Sequence, residues 1–525
     1  MKLRPQCLAL ILALAMAAAV KSALLLTHSV PFNSDEAIVG LMARHILRGE
    51  RPTFFYGQAY MGSLDAWLVA GAFRLLGEGV TPIRVVQAAL YLGYLGSLWW
   101  LARRLFRDWR IACAAVILGS VPPVVVTTYT TASLGGYGES LLLGNLVLGL
   151  GHEVTYGEGE TRWGAWAALG LFAGLAFWTL GMAVVYFIPV ALLGALRWKA
   201  RLAPYYLTLA LAFVLASSPW WIDTVRSGGA ALKVLLETSL APTTIQERIL
   251  GFAFLGLPTL IGFRNPWSPD YYPLPMTFLA IVLHLGMLTF ILTALRRRRI
   301  ELSPGAVLLL GVLTAGFLVL FLGSHFGIDS TGRLLLPMYL PVLLGLAAFV
   351  VGAYQWRAWA GIGVLCLTLL LNGFATWSAA KSEARITTQF DPITRFDNQH
   401  DAQLIRFLED SGEWSGFGNY WVSFRLAFLS DERLIYLARL PYKADLSYTW
   451  GDDRYPPYRD LVVSSSRVAY ITTLLPVLDE RIRSALEASG IGFEERQIGP
   501  YHVFFHLSAP VAPDAIGLVA EPAPP

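Results

Sequence analysis

Apolar runs of about 15 to 24 residues begin near positions 6, 82, 111, 137, 164, 181, 203, 273, 303, 333 and 358. A helix needs about 20 mostly apolar residues to cross a bilayer core, so we read these runs as roughly eleven spans. Residues 163–196 form one continuous run. We divide it at Trp178-Thr179-Leu180-Gly181, because a single helix of that length overshoots the membrane. Met1-Lys2-Leu3-Arg4 resembles the start of a signal peptide, yet residues 6–26 have the length of a full span and no small-residue cleavage site precedes Thr27. That run is read as an uncleaved first span. A shorter piece, 249–263, suits a re-entrant or interfacial segment. From about residue 379 the pattern changes. Residues 401–410 and 478–489 have amphipathic helical spacing, whereas Leu461-Val462-Val463, Val468-Ala469-Tyr470-Ile471 and Tyr501-His502-Val503-Phe504-Phe505 read as strands.

The predicted fold is therefore mainly α: a polytopic transmembrane helical bundle over 1–380, followed by a small extracytoplasmic α/β domain over 381–508. A Pro/Ala-rich tail, 509–525, reads as disordered.

Composition agrees with a life in lipid. Hydrophobic residues make up 55% of the 525 and charged residues 14%, against about 25% charged in a soluble domain. The three cysteines, Cys7, Cys113 and Cys366, all lie in apolar runs, so no disulfide framework is implied. The net charge of +4 comes from basic clusters between spans, which speaks for topology and against nucleic acid as a partner. Lys2/Arg4, Arg103-Arg104, Arg197 to Arg201, Arg296 to Arg299 and Arg357 fall on one side under this span count, the cytoplasmic side by the positive-inside rule. The loop 152–162 is acidic on that side, but acids weigh little in the rule. The N-terminus is then cytoplasmic, and the long loops 27–81 and 220–272 and the polar tail are external.

The first outer loop opens with Pro31-Phe32-Asn33-Ser34-Asp35-Glu36. Ionised groups beside hydrocarbon are costly and mark function by default, and a carboxylate is a common proton acceptor for an attacking hydroxyl or amine. Residues 37–47 have helical spacing and would lie along the membrane surface with both acids at their N-terminal end. Ser34, Asp35 and Glu36 would equally serve as that helix's cap. The run Tyr56-Gly57-Gln58-Ala59-Tyr60 offers close backbone approach and aromatic faces for a sugar or lipid, or ordinary interfacial aromatics. Asp65 follows on an apolar helical run, 64–76, rather short to span. Glu139 enters the fourth span after Gly135-Gly136-Tyr137-Gly138, either lining a wet cavity or snorkelling to the interface. His325 and Arg333 stand in the last large outer loop, and the forked donors of Arg333 suit phosphate oxygens or bulk headgroups.

An Asp-Glu pair after the first span, a loop ending at Gly57-Gln58-Ala59-Tyr60, an acid opening the fourth span and Arg333-Leu334-Leu335-Leu336-Pro337-Met338-Tyr339 occur together in this order. The set resembles the GT-C membrane glycosyltransferases, and in style the bacterial relatives of protein O-mannosyltransferases and lipid A aminoarabinose transferases. The resemblance covers about 1–380. It implies an enzyme of the bacterial inner membrane that moves a sugar from a polyprenyl-phosphate-linked donor to a protein, lipid or polysaccharide acceptor on the outer face. Asp35 would be the catalytic carboxylate with Glu36 beside it. Glu139, Tyr56, Gln58, Tyr60 and Asp65 would shape the donor pocket, and Arg333 with His325 would hold the donor phosphate. Met61-Gly62-Ser63 departs from the acid-lysine-proline run of the aminoarabinose transferases. No cofactor is implied with certainty; a divalent metal among Asp35, Glu36 and Glu139 is left open, without the tight spacing of a metal motif. The rival readings are a transporter or flippase of lipid-linked sugars, expected to carry ionisable residues or broken helices at mid-membrane in two halves, and a non-catalytic scaffold.

Overall fold

The computed structural model describes residues 4–157, 163–199, 202–229, 232–233, 243–396 and 398–518. Helices begin close to where the apolar runs do: Pro5–Leu26, Val80–Leu105, Trp109–Gly119, Tyr137–Tyr156, Trp163–Thr179, Val184–Arg197, Ala203–Ala216, Leu274–Arg296, Ala306–Gly323, Leu336–Trp356 and Ala358–Lys381. The division placed at Trp178 to Gly181 is present, as a short 3₁₀ turn, Gly181–Ala183. Among the described residues six helices are long and apolar enough to cross a membrane, or seven if the pair Ala203–Ala216 and Ser218–Arg226, bent by 63°, is one span. By length and composition this does not confirm the expected count of about eleven, since further apolar helices such as Trp109–Gly119 are only 11 residues long. Leu274 is 81% exposed, Val319 71% and Leu370 70%, a pattern that only lipid makes favourable for helices of this kind. The chain is an integral membrane protein.

The chain divides into two compact units, one of Met1–Val30, Tyr60–Asp65 and Arg84–Thr388, the other of Pro31–Ala59, Ala66–Ile83 and Gln389–Pro525. The first is the helical bundle. Small residues let its helices meet backbone to backbone, as membrane packing favours. A Cβ built on Gly170 would fall 2.2 Å from the Leu209 carbonyl oxygen, and one on Gly174 2.4 Å from that of Phe213. The apolar piece at 249–263 is helical with an inserted π turn, Phe252–Gly256, between Ile245–Gly251 and Leu257–Leu260.

The second unit joins most of the first loop to the C-terminal domain, whereas the pattern had placed that domain alone at 381–508. Its sheet runs in the order Ile435–Ala438, Ser415–Gly418, Ala469–Thr473, Tyr501–Phe505, Glu494–Ile498. The first three strands are parallel and the last two pair antiparallel. Helices Asp401–Asp410 and Pro476–Ala488 are present as the amphipathic spacing predicts. Leu461-Val462-Val463 is not a strand but the end of a helix, Pro457–Val463, with only Val462 of the three buried. Three consecutive apolar residues fit either structure, and the proline pair Pro456-Pro457 favours a helix start. In the Pro/Ala-rich stretch Val511 accepts a hydrogen bond from the Tyr470 hydroxyl at 2.7 Å and Leu518 is buried; residues 519–525 lie outside the described residues.

The strand Ser415–Gly418, second in this order, shows how tightly the sheet is set. A Cβ on Gly416 would lie 2.0 Å from the Ala469 carbonyl oxygen and 2.7 Å from the Tyr436 ring. Gly416→Ala is expected to destabilise the domain by about 3 kcal/mol, since overpacking of this kind forces backbone shifts. Limited proteolysis of the purified protein should then cut the C-terminal domain at lower temperature than in wild type.

Candidate active site

The helix Ser34–Leu47 starts three residues earlier than its spacing suggests, and Asn33 is its cap: the Glu36 backbone N–H donates to Asn33 Oδ1 at 3.1 Å. Both acids lie in the first turn, directly after that cap. They diverge in environment. Glu36 is fully buried, while Asp35 is half-buried. The helix does not present one apolar side to a membrane surface but is buried almost all round. Part of that burial comes from Phe428, whose ring lies 2.5 Å from where a Cβ on Gly40 would stand.

Around Asp35 the second unit gathers residues from far along the chain. The Tyr420 hydroxyl donates to Asp35 Oδ1. Tyr420 is 3% exposed, and the Arg454 guanidinium lies over its ring at 5.1 Å. Gln58, with its amide oriented to suit its neighbours, accepts from both terminal nitrogens of Arg454, one at 3.0 Å. Gly57 has φ +70° and a Cβ there would sit 2.5 Å from Arg454 Cδ, so this turn fits its neighbour only as glycine. Asp452 is also buried; its carboxyl is pushed up to about 6 by burial and by the charge of Asp35, against the pull of Arg454 and Tyr442. Burial, then the Asp35 charge, holds the Tyr420 hydroxyl well above its ordinary range, so it remains a donor at any physiological pH.

Tyr56 is committed elsewhere. Its hydroxyl donates to Glu50 at 2.9 Å and meets His45 Nδ1 at 2.8 Å, and its ring stacks on Tyr455 at 4.6 Å. His45 Nε2 lies 2.7 Å from Glu432 Oε1, which also accepts from Tyr458 at 2.8 Å. Arg44, 2% exposed, pairs with Glu78 at 2.7 Å and Asp431 at 3.0 Å. This clamp binds the Asp35 helix to the C-terminal domain. Burial raises the Glu432 carboxyl, but hydrogen bonds from His45 and Tyr458 and the charges of His45 and Arg48 outweigh it and bring it to about 2. A carboxyl depressed on folding stabilises above its unfolded value and loses that contribution as pH falls through its folded value. We expect the second unit to lose about 2 kcal/mol, after allowance for solvent screening, between about pH 4.5 and 2. Glu432→Gln should flatten that part of a melting-temperature profile while lowering the neutral-pH plateau.

In the first unit, Asp65 is 2% exposed and accepts from Gln87 Nε2 at 3.0 Å and from the Ser133 hydroxyl. Glu139 is 1% exposed and lies against Asp65 and Gln87. It is thus an interior acid and does not snorkel. The turn that delivers it needs positive φ at Gly135 and Gly136, 84° and 93°. Arg333 follows Gly332, which has φ +72° and room for a Cβ only 2.9 Å from Thr259. Arg264 pins the same loop, donating to Ser330 O at 2.6 Å and to Thr259 Oγ1 at 2.8 Å. The Arg333 side chain itself has no hydrogen bond or ion pair among the described residues, its buried Nε included. Tyr137, Tyr129, Asp329 and Tyr60 are its electrostatic neighbours. The His325 side chain lies outside the described residues. No three His, Cys, Asp or Glu side chains gather as a metal site among the described residues.

Residues 63–222 match the family model for dolichyl-phosphate-mannose-protein mannosyltransferase. No curated protein matches the chain in sequence. Among solved structures, ArnT from Cupriavidus metallidurans bound to undecaprenyl phosphate is similar with a TM-score of 0.55 and 14% identity, covering 98% of this chain and 99% of that one. The oligosaccharyltransferase AglB from Archaeoglobus fulgidus, in complex with an inhibitory peptide and a dolichol-phosphate, gives 0.51 and 12%, covering 94% and 74%. The arabinofuranosyltransferase AftD from Mycobacteria gives 0.51 and 16%, covering 94% of this chain and 41% of that one.

The chain has the GT-C glycosyltransferase fold.

Within this fold the residues singled out by sequence fall into two sets. Asp35, Glu36, Tyr56 and Gln58 belong to the unit that includes the C-terminal domain; Tyr60, Asp65, Glu139 and Arg333 belong to the bundle. Sequence reasoning missed Asp452 and Arg454, and took Tyr420 with the outer domain's other aromatics as a sugar-stacking face or core rather than as a partner of Asp35. It also missed Lys21, a buried cation of the first span that donates to Thr130 O at 2.6 Å and to the Thr130 and Thr131 hydroxyls at 2.9 Å. A lone lysine inside an apolar run was the available signal for Lys21.

Proposed function

We propose that this protein is a glycosyltransferase that takes a sugar from a polyprenyl-phosphate carrier on the outer face of the inner membrane and passes it to a hydroxyl or amine acceptor. The observation that carries this reading is the state of Asp35: the accessible member of an acid pair, at the first turn of a rigidly packed helix, with one oxygen held by a neutral hydroxyl donor. The acceptor's O–H or N–H gives its proton to Asp35 as its lone pair attacks the anomeric carbon. The bond from that carbon to the carrier's phosphate oxygen breaks, and the polyprenyl phosphate leaves with the electron pair. Negative charge grows on that phosphate in the transition state, and Arg333, which has no ion pair among the described residues, stabilises it there more than in the ground state. Asp65 and Glu139 would shape the pocket around the donor sugar. Glu36, fully buried, supports the helix rather than receiving the proton. ArnT with undecaprenyl phosphate and AglB with dolichol-phosphate make a polyprenyl phosphate the first donor class to try.

The test uses purified protein in lipid nanodiscs, a set of radiolabelled undecaprenyl-phosphate sugars and host membranes as acceptor. Label should move from the lipid to the acceptor fraction. Movement of intact labelled lipid between the leaflets of proteoliposomes, with nothing transferred, would replace the transferase with a flippase.

A further inference from the structure

The C-terminal domain of such an enzyme could recognise the acceptor, cover the site, or take part in the chemistry's geometry, and the contacts at Asp35 decide among these. We propose that Tyr420 is a positioning residue for Asp35, fixing which of its carboxylate oxygens faces the acceptor, and that Arg454 holds Tyr420 in that role. This rests on the reading of Asp35 as proton acceptor.

A carboxylate on the first turn of a helix has a rotatable side chain and two equivalent oxygens. A single donor on Oδ1 breaks the equivalence: the carboxylate plane is fixed and Oδ2 is left as the basic oxygen. Tyr420 is suited to this. It lies in the first turn of the helix Tyr420–Leu429, which Asn419 caps by accepting from the Trp421 N–H at 3.0 Å. Asn419 is in turn tied to Thr473 at 2.8 Å on the central sheet. The donor is therefore mounted on a capped helix tied to the sheet of the second unit. Phe424 packs edge-on to the Tyr420 ring at 5.6 Å, and the Arg454 cation covers it. Arg454 also bonds Gln58 and fills the space over Gly57. The series Gln58, Arg454, Tyr420, Asp35 thus runs from the Gly/aromatic loop through the C-terminal domain and back to the carboxylate. The domain is in this account a component of the catalytic centre.

The experiment has two arms, so that loss of this proposal and loss of the transferase reading give different results. The first needs no substrate. Protein with ¹³C-carboxyl aspartate is placed in nanodiscs, and the Asp35 infrared band is identified as the one missing from Asp35→Asn. Tyr420→Phe should shift that band, and Arg454→Met should shift it in the same direction by less. An Asp35 band unmoved in Tyr420→Phe overturns the proposal whatever the enzyme's activity. The second arm uses whichever undecaprenyl-phosphate sugar wild type transfers. Tyr420→Phe should lower kcat roughly 10- to 100-fold with KM within about two-fold, and add nothing in the Asp35→Asn background, because the two residues act as one unit. Equal losses in both backgrounds would make Tyr420 merely structural and overturn the proposal. If wild type transfers no sugar at all, the transferase reading fails while the infrared arm still decides whether Tyr420 orients Asp35.

Discussion

Asp35→Asn should reduce sugar transfer by roughly 1,000-fold or more and leave the melting temperature within about 2 °C of wild type. The change is nearly isosteric. The amide oxygen can still accept from Tyr420, and Asn33 still caps the helix. What disappears is the ability to accept a proton, and general-base catalysis contributes roughly 100- to 10,000-fold. The upper part of that range applies because no other described carboxylate in this unit combines partial exposure with a place on this turn: Glu36 is fully buried and Asp452 is 5% exposed. Initial rates of label transfer, read beside thermal unfolding of the same preparation, separate a chemical loss from an unfolded protein.

Arg333→Ala should be the second large effect, a fall of roughly 100- to 1,000-fold in kcat, the scale on which loss of one charge-stabilising group acts. Arg333→Lys should recover only part of it, since an ammonium offers one point of charge where the guanidinium offers a planar fork. Folding should survive both, because no hydrogen bond or ion pair of that side chain would be lost among the described residues. Gly332 beside it is the contrasting position. There a side chain meets Thr259 at positive φ, and Gly332→Val should lower stability as well as activity.

The bundle was legible because apolar length is a direct consequence of bilayer thickness, so helix starts could be placed without tertiary information. Span number is less direct, since Trp109–Gly119 and Trp163–Thr179 are helices shorter than a typical crossing and apolar length alone does not count them. The strands that the pattern missed are the ones that lack alternation. Ser415-Gly416-Phe417-Gly418 is buried on both faces with glycines that fit close neighbours, and Glu494 to Gln497 form an exposed edge. Asp35 stood out as an acid beside an apolar run. Tyr420, hydrogen-bonded to it from 385 positions away, had no such signal. Its neighbourhood, Asn-Tyr-Trp at the start of an apolar helix, reads as ordinary core. Tyr56 illustrates the opposite error of inference: a tyrosine in a glycine-rich loop suggests a ligand face, yet both its ring and hydroxyl are spent on the clamp with His45, Glu50 and Tyr455.

The most direct measurement is the release of free undecaprenyl phosphate from a labelled undecaprenyl-phosphate sugar by wild type, Asp35→Asn and Arg333→Ala in identical nanodiscs with acceptor present. The account predicts carrier release matched one for one by glycosylated acceptor in wild type, and neither product above background in Asp35→Asn. Undiminished release and transfer by folded Asp35→Asn would contradict it, because a carboxylate that the reaction does not need cannot be its proton acceptor.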